Sequence, residues 1–101
     1  MIKHIVMFRL ADEANGRKKR ENALIIKKQL EALKDIIPQI MEIGVYLNDE
    51  NASPDNYDII LDSKFASLDD LKIYSNHPEH LKVAAFIAGV RTGRAAIDYE
   101  I

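Results

Sequence analysis

The stretch Tyr74-Ser75-Asn76-His77-Pro78-Glu79-His80 decides how the second half of the chain folds and also holds most of its chemistry. Proline disfavours helical backbone at the residue before it but is well tolerated at the first position of a helix. We therefore expect one helix to end near Tyr74 and another to begin at Pro78. The stretch contains two of the three histidines of the chain, together with a tyrosine. It is both a joint in the fold and a candidate site.

Two helices extend outward from this joint. Ser67, followed three residues later by an aspartate, has the form of a capping box and predicts a short helix over 68–74. The second helix is predicted over 78–90, because its apolar residues recur at helical spacing. They are Val83, Phe86, Ile87 and Val90. His80 lies three residues before the first of them, so it extends the apolar stripe into the first turn.

Alternating apolar and polar residues predict four strands, with one longer helix between the first and the second. The strands are predicted over 2–10, 39–47, 57–65 and 94–101, and the helix over 17–37, after a connection over 11–16. Pro38 is expected to end that helix. The order strand, helix, strand, strand, helix pair, strand is that of the ferredoxin-like arrangement. We therefore predict an α+β fold with one four-stranded antiparallel sheet and its helices on one face.

One face of the predicted sheet stays uncovered by helices. We expect the more apolar face of every strand to meet the helices, and in the last strand this face is formed by Ala95, Ile97, Tyr99 and Ile101. The opposite face is itself rich in apolar residues: Ile5, Met7, Ile40, Tyr46, Ile60 and Ala96. An exposed apolar surface of this kind is a contact site, and a standard interface buries about 800 Å² per partner. We therefore predict a homodimer that pairs sheet face to sheet face.

Length and composition restrict the possible classes of protein. The chain has 101 residues, 48% of them hydrophobic and 30% charged, which predicts a single soluble globular domain over 1–101. The net charge is −2 and the charges are interspersed, so neither nucleic acid nor a membrane is an expected partner. The chain has no cysteine, which excludes thiolate nucleophiles and sulfur metal sites and fits a cytoplasmic location.

The candidate chemistry comes from His4, Tyr74 and His80. His4 lies on the helix-facing side of the first strand, which is central in the predicted sheet, so the helix that begins at Pro78 would pack across it. An imidazole can exchange a proton near neutral pH, and a phenol can donate to a carbonyl oxygen as charge develops. With His80 as general base, Tyr74 as that donor and His4 in support, the set would serve proton abstraction next to a carbonyl.

Two alternatives stay open for these side chains. In the first, all three are ordinary core residues; in the second, His4, His77 and His80 bind a metal, as in a catalytic zinc site. We favour a structural role for His77, because at the start of a helix it can cap or pack without a metal. We predict no metal and no cofactor.

The expected ligand pocket lies between the sheet and the helices and suits an apolar small molecule. Its predicted walls are apolar side chains from the strands and the helices: Val6, Phe8, Ile26, Leu30, Leu33, Ile59, Val83 and Ile87. The basic run over 17–20 is interpreted as a solvated helix face. Arg91-Thr92-Gly93-Arg94 is interpreted as a helix end and turn rather than an anion site.

Five stretches of the chain together resemble a known family. They are Lys3-His4-Ile5-Val6-Met7-Phe8, Ile36-Ile37-Pro38, Asn56-Tyr57-Asp58, the stretch from Tyr74 to His80, and Asp98-Tyr99-Glu100. Over nearly its whole length the chain resembles the stress-responsive A/B barrel domain family, often called Dabb. The Tyr-x-x-His-Pro-x-His element, together with the N-terminal Lys-His, is the most specific part of this resemblance.

The resemblance implies a dimeric α+β barrel, in which two four-stranded sheets face each other with helices outside. Most members of the family have no assigned reaction, but a plant branch acts as polyketide cyclases that close rings by aldol chemistry without a cofactor. There the positions matching His4, Tyr74 and His80 carry the reaction, whereas His77 has no catalytic role. The chain departs from an aromatic-lined tunnel, because its first helix offers only Ile26, Leu30 and Leu33. A binding protein, a cyclase-like enzyme and a purely structural dimer are the functions left open.

Overall fold

The computed structural model describes all residues of the chain, 1–101, and contains six strands and three α-helices. The strands are β1 Ile2–Leu10, β2 Glu13–Ala14, β3 Arg17–Lys18, β4 Glu42–Leu47, β5 Ile59–Phe65 and β6 Arg91–Glu100. The helices are α1 Lys19–Ala32, α2 Leu68–Asn76 and α3 Pro78–Val90. A short 3₁₀ turn over Leu33–Asp35 continues α1.

Four of the strands form one antiparallel sheet in the order β4-β5-β1-β6. β1 is therefore an interior strand, with β5 on one side and β6 on the other. Together with the helices, this sheet has the strand order of the ferredoxin-like arrangement. The predicted α+β architecture with a four-stranded antiparallel sheet is confirmed.

The core lies between the sheet and the helices. Alternate residues of the two interior strands are buried, as period-2 side-chain direction requires: Val6, Phe8, Leu10, Ile59, Leu61 and Phe65. The helices contribute Ile26, Leu30, Val83 and Ile87 to the same cluster. Complete burial of one such side chain stabilises the fold by roughly 1.5–3 kcal/mol. The sheet and helices are held together mainly by this layer.

The outer edge of β4 is closed by α1. Glu31 accepts a hydrogen bond from the Val45 backbone N–H at 3.0 Å, and Lys27 donates to the Val45 carbonyl at 2.5 Å. Backbone groups on an edge strand otherwise offer a template for pairing with another chain. These two side chains give the outward backbone groups at the middle of β4 their hydrogen-bond partners. β6 is the other edge strand of the sheet, and α1 does not cover it.

None of the helices combines the length and the apolar character needed to cross a membrane. The start of α2 is capped as predicted, since Ser67 Oγ accepts from the Asp70 backbone N–H at 3.1 Å. His77 separates α2 from α3 with extended backbone (φ −65°, ψ 135°), and Pro78 occupies the first turn of α3. His77 Nδ1 accepts from the Glu79 N–H at 3.1 Å. The predicted joint is present, and His77 serves it as a helix cap.

The prediction of a helix over 17–37 was wrong at both ends. Asn15 and Gly16 have φ of 56° and 75°, and this turn pairs Arg17–Lys18 with Glu13–Ala14 as a small hairpin. Positive φ at two successive positions is the signature of the type I′ hairpin turn, which Asn-Gly favours. The chain is therefore still extended at position 17. At the other end, the 3₁₀ turn at Leu33–Asp35 replaces the last predicted helical turn.

Two assignments to the faces of the sheet were also wrong. In the β1–β6 pairing Ile5 lies opposite Ile97, whereas His4 lies opposite Asp98. Directly paired residues point to the same side, so Ala95, Ile97 and Tyr99 belong to the open face and not to the helix-facing one. Ile40 is buried rather than on the open face, because β4 begins only at Glu42 and Ile40 sits in the preceding turn.

Candidate functional site

A cavity of about 190 Å³ lies between the helix-facing side of the sheet and α3. Its apolar walls come from β1, α1, β5 and α3: Val6, Phe8, Leu30, Leu61, Ala84 and Ile87. Its polar lining consists of His4, Ser75, His80, Arg91 and Arg94. The cavity therefore combines an aliphatic interior with imidazole and guanidinium groups.

The cavity opens along the edge strand β6. Arg94, Ala96 and Asp98 lie on the helix-facing side of this strand, yet all three are exposed. The helices thus leave this side of β6 uncovered, and a molecule can reach the cavity from there.

His4 is held by the strands on either side of β1. In the sheet, His4 lies opposite Ser63 on β5 and opposite Asp98 on β6. The Ser63 hydroxyl donates to the His4 carbonyl oxygen at 2.8 Å, and His4 Nδ1 is hydrogen-bonded to Asp98 Oδ1. An ionised carboxylate only accepts hydrogen bonds, so Nδ1 carries the proton. Nε2 of His4 is left for another partner.

His80 is arranged in the same way by a different partner. Its Nδ1 lies 3.0 Å from the backbone carbonyl oxygen of Ser75, and this geometry requires a proton on Nδ1. Burial lowers the pKa of His80; the Ser75 carbonyl opposes this shift, while the charges of His4, Arg94 and His77 add to it. At neutral pH the ring is therefore uncharged, with the lone pair of Nε2 free to accept a proton.

Tyr74 packs against both histidines but does not line the cavity. Its ring centroid lies 4.4 Å from that of His80 and 6.3 Å from that of His4. The side chain is fully buried, and its hydroxyl has no hydrogen-bond partner in the protein. Burial raises the pKa of Tyr74, so the phenol keeps its proton. The site therefore contains a buried hydroxyl donor without a hydrogen-bond acceptor in the protein.

The three predicted site residues lie together, and part of the predicted pocket wall lines this cavity. The cavity touches His4 and His80, and Tyr74 lies against His80. Of the predicted wall, these residues line the cavity: Val6, Phe8, Leu30 and Ile87. The others are buried in the core and do not reach it: Ile26, Leu33, Ile59 and Val83.

Four residues of the site were missed from the sequence: Ser75, Arg91, Arg94 and Asp98. Arg94 and Asp98 lie on the side of β6 opposite to Ile97. Assigning Ile97 to the open face would therefore have placed both residues on the helix-facing side. Arg91 does terminate α3, as predicted, but β6 begins at the same residue and no turn intervenes. Both arginines consequently lie at the cavity.

The three histidines form no cluster that could hold a metal ion. His77 directs its Nδ1 to the cap of α3, while the Nδ1 atoms of His4 and His80 are bound to Asp98 and to the Ser75 carbonyl. Each ring has a separate hydrogen-bond partner.

A larger concavity of about 500 Å³ lies near one end of the open face of the sheet, away from the histidines. Its walls include Met7, Tyr46 and Ile60, and the Arg9 guanidinium stacks over the Tyr57 ring at 4.6 Å. It contains no acid–base pair comparable with the one at His4 and His80. We therefore take the smaller cavity as the candidate functional site.

The comparison with known proteins agrees with the fold and with the resemblance. The family model described as the stress responsive A/B barrel domain matches residues 2–101. The chain belongs to this family. A dimeric protein of unknown function and ferredoxin-like fold from Bacteroides fragilis is 35% identical, with a TM-score of 0.79 and coverage of 99% of this chain and 95% of the other.

More distant structures share the fold of this A/B barrel domain. A dimeric ferredoxin-like protein of unknown function from Thermobifida fusca is 24% identical, with a TM-score of 0.83 over 99% of this chain and 90% of the other. Hydroxynitrile lyase from Passiflora edulis is 18% identical, with a TM-score of 0.79 over 99% and 92% of the two chains. No curated protein sequence matches the chain.

The unpaired hydroxyl of Tyr74 leads to a prediction about stability. A buried hydroxyl without a partner costs roughly 1–3 kcal/mol, so Tyr74→Phe is expected to raise the free energy of unfolding by about 1 kcal/mol. Urea unfolding at fixed protein concentration measures this change. Tyr57→Phe is the control, because Tyr57 is only partly buried and its hydroxyl is not among the buried polar atoms that lack a partner, so its stability should stay unchanged. A clear loss of stability in Tyr74→Phe would show that the hydroxyl has a partner.

Proposed function

We propose that this A/B barrel domain binds a small carbonyl compound in the cavity and removes a proton from the carbon beside the carbonyl, with His80 as general base. The observation that carries this proposal is the state of His80 in the cavity wall. Its Nδ1–H is held by the Ser75 carbonyl, and burial lowers its pKa. A neutral ring with a fixed tautomer is ready to accept a proton at Nε2.

The proton transfer uses only side chains of the chain. His80 Nε2 takes the proton, and the electron pair of the broken C–H bond forms the enolate, whose charge lies mainly on the carbonyl oxygen. Asp98 orients His4, so that its Nε2 is available to a polar group of the ligand. We assign Tyr74 to packing against His80. Its hydroxyl can donate only to a ligand that reaches past that ring, because Tyr74 does not line the cavity.

The proposal covers the aldol ring closure implied by the family resemblance, since that reaction begins with the same step. The cavity of about 190 Å³ is smaller than the roughly 300–1,000 Å³ typical of sites for drug-sized ligands. We therefore propose a small substrate, or a larger one that inserts only part of its structure. The hydroxynitrile lyase from Passiflora edulis supports this only at the level of fold, by showing that the same architecture can carry an enzyme.

Binding without catalysis is the second candidate. It is favoured by the aliphatic walls at Leu30, Leu61 and Ile87, which suit an apolar body without requiring any reaction. The two candidates differ in what they require of His80. A binding protein needs only its shape, whereas the proposed reaction needs its lone pair.

Hydrogen–deuterium exchange measures the proposed step without knowledge of the natural substrate. Acetophenone in D₂O should exchange its methyl protons faster in the presence of the protein, as followed by proton NMR. His80→Gln should reduce the catalysed rate by about 10²-fold or more, the usual contribution of a general base. His77→Asn is the matched control, because asparagine preserves the helix cap, and its rate should be unchanged.

The pH dependence of this exchange gives an independent check. Protonated His80 has no lone pair at Nε2, so the rate should fall as the pH is lowered through the reduced pKa of His80. The midpoint is therefore expected below the ordinary value of 6.5. A His80→Gln variant that retains the full rate, or a rate independent of pH on the acid side, would contradict His80 as the base and leave binding alone.

We also propose that the chain forms a homodimer through the open face of its sheet. This face carries Met7, Tyr46, Ile60, Ile97 and Tyr99, and both Tyr46 and Ile97 are 60% exposed. Large exposed side chains on one flat surface favour association. The similar structures from Bacteroides fragilis and Thermobifida fusca are described as dimeric. The ion pair between Lys3 and Asp62 lies on the same face and can take part in the interface.

Ile97→Asp tests the dimer, because it places an unpaired charge in the proposed interface. We expect the wild type to sediment as a dimer at micromolar concentration, and the variant to sediment with half that mass. Leu81→Asp is the control: Leu81 is 52% exposed but lies on α3, so its variant should stay dimeric. A monomeric wild type, or an Ile97→Asp variant that remains dimeric, would rule out this interface.

A further inference from the structure

Arg91 and Arg94 line the cavity with their charges uncompensated. Neither takes part in an ion pair, whereas Arg20 pairs with Glu50, and Arg9 donates to the backbone carbonyl of Asp55. A guanidinium presents five N–H donors in a rigid fork that matches a carboxylate. The donors of these two arginines are free to bind a ligand.

A β-bulge brings the two arginines to the same side of the sheet. Residues three apart on a regular strand point to opposite faces. Here the register shifts between Arg9 and Leu10, so that Arg9 pairs with Gly93 but Leu10 pairs with Arg91. Arg91 and Arg94 therefore both reach the cavity. Bulges of this kind re-aim side chains and are over-represented beside active sites.

The charge at the cavity has the opposite sign to that of the whole chain. The chain carries a net charge of −2, yet no aspartate or glutamate lines the cavity. The neighbouring carboxylate, Asp98, is bound to His4. A cation would meet two guanidinium groups and no free carboxylate, whereas an anion would meet two uncompensated positive charges.

We infer that the ligand of this cavity carries a carboxylate, which binds Arg91 and Arg94 at the open edge while the apolar part of the molecule enters toward His80. This inference rests on the proposed function, because it names the class of substrate for the same cavity. The aliphatic walls at Leu30, Leu61 and Ile87 accommodate the apolar part. The substrate class is therefore a small carboxylic acid whose apolar body also carries the carbonyl group that reaches His80.

Benzoate and benzamide are matched probes for this inference, because they share shape and size but differ in charge. Binding to the full chain is followed through the imidazole NMR signals of His80, which report on the cavity itself. Benzoate is expected to bind about tenfold more tightly than benzamide, from one charge-assisted hydrogen-bonded pair. The preference should diminish as salt is added, since the arginines are exposed.

The variants Arg91→Gln and Arg94→Gln test whether these two arginines bind the carboxylate. Each should weaken benzoate and leave benzamide unchanged, and the double variant should remove the whole preference of about tenfold. Arg17→Gln is the control, because Arg17 is also exposed and unpaired but lies on β3, and it should affect neither probe.

The possible outcomes separate the two proposals. If benzamide binds as well as benzoate, or if Arg17→Gln weakens benzoate as much as Arg94→Gln does, the carboxylate inference is overturned and the cavity keeps its proposed role as a binding site. If neither probe changes the His80 signals, both the inference and the proposed function are contradicted.

Discussion

The extended backbone at His77, which Pro78 enforces, is the constraint on which the site depends. It ends α2 and starts α3 within one residue, so Tyr74 lies in the last turn of one helix and His80 in the first turn of the next. The final carbonyls of a helix lack intrahelical partners. One of them, on Ser75, accepts from His80 Nδ1 and fixes the tautomer of the ring. The interruption of the helix thus supplies the group that prepares the proposed base.

The sheet contributes the opposite wall and the opening of the cavity. His4 occupies interior strand β1, where Ser63 holds its backbone and Asp98 holds its ring. The helices close one side of the sheet but leave β6 accessible, and the bulge in its pairing with β1 turns Arg91 and Arg94 to that opening. The imidazoles lie inside and the positive charges lie at the edge. This arrangement suits the proposed ligand, which has one apolar and one anionic end.

Local patterns were sufficient for much of the fold and failed where long-range pairing decides. The alternation in β1 placed His4 and Val6 correctly, and the stretch around Pro78 predicted the joint. The pattern of β6 favours Ala95, Ile97 and Tyr99 as its buried face, but its register with β1 places these residues on the open face. The wrong face assignment concealed the helix-facing position of Arg94 and Asp98. The hairpin at Asn15-Gly16 differs, because its turn signal is local and was overlooked. The cavity depends on how side chains pack, and the periodic pattern of apolar residues in the sequence does not predict that packing.

The central claim is that His80 presents an unprotonated Nε2 in the cavity because the Ser75 carbonyl holds its Nδ1–H. Nitrogen-15 NMR of the imidazole rings at neutral pH tests this claim most directly, since the chemical shifts and couplings distinguish the tautomers. We predict a neutral His80 ring with its proton on Nδ1. A ring protonated on Nε2 alone, or on both nitrogens, would contradict this role of the joint at His77 and Pro78.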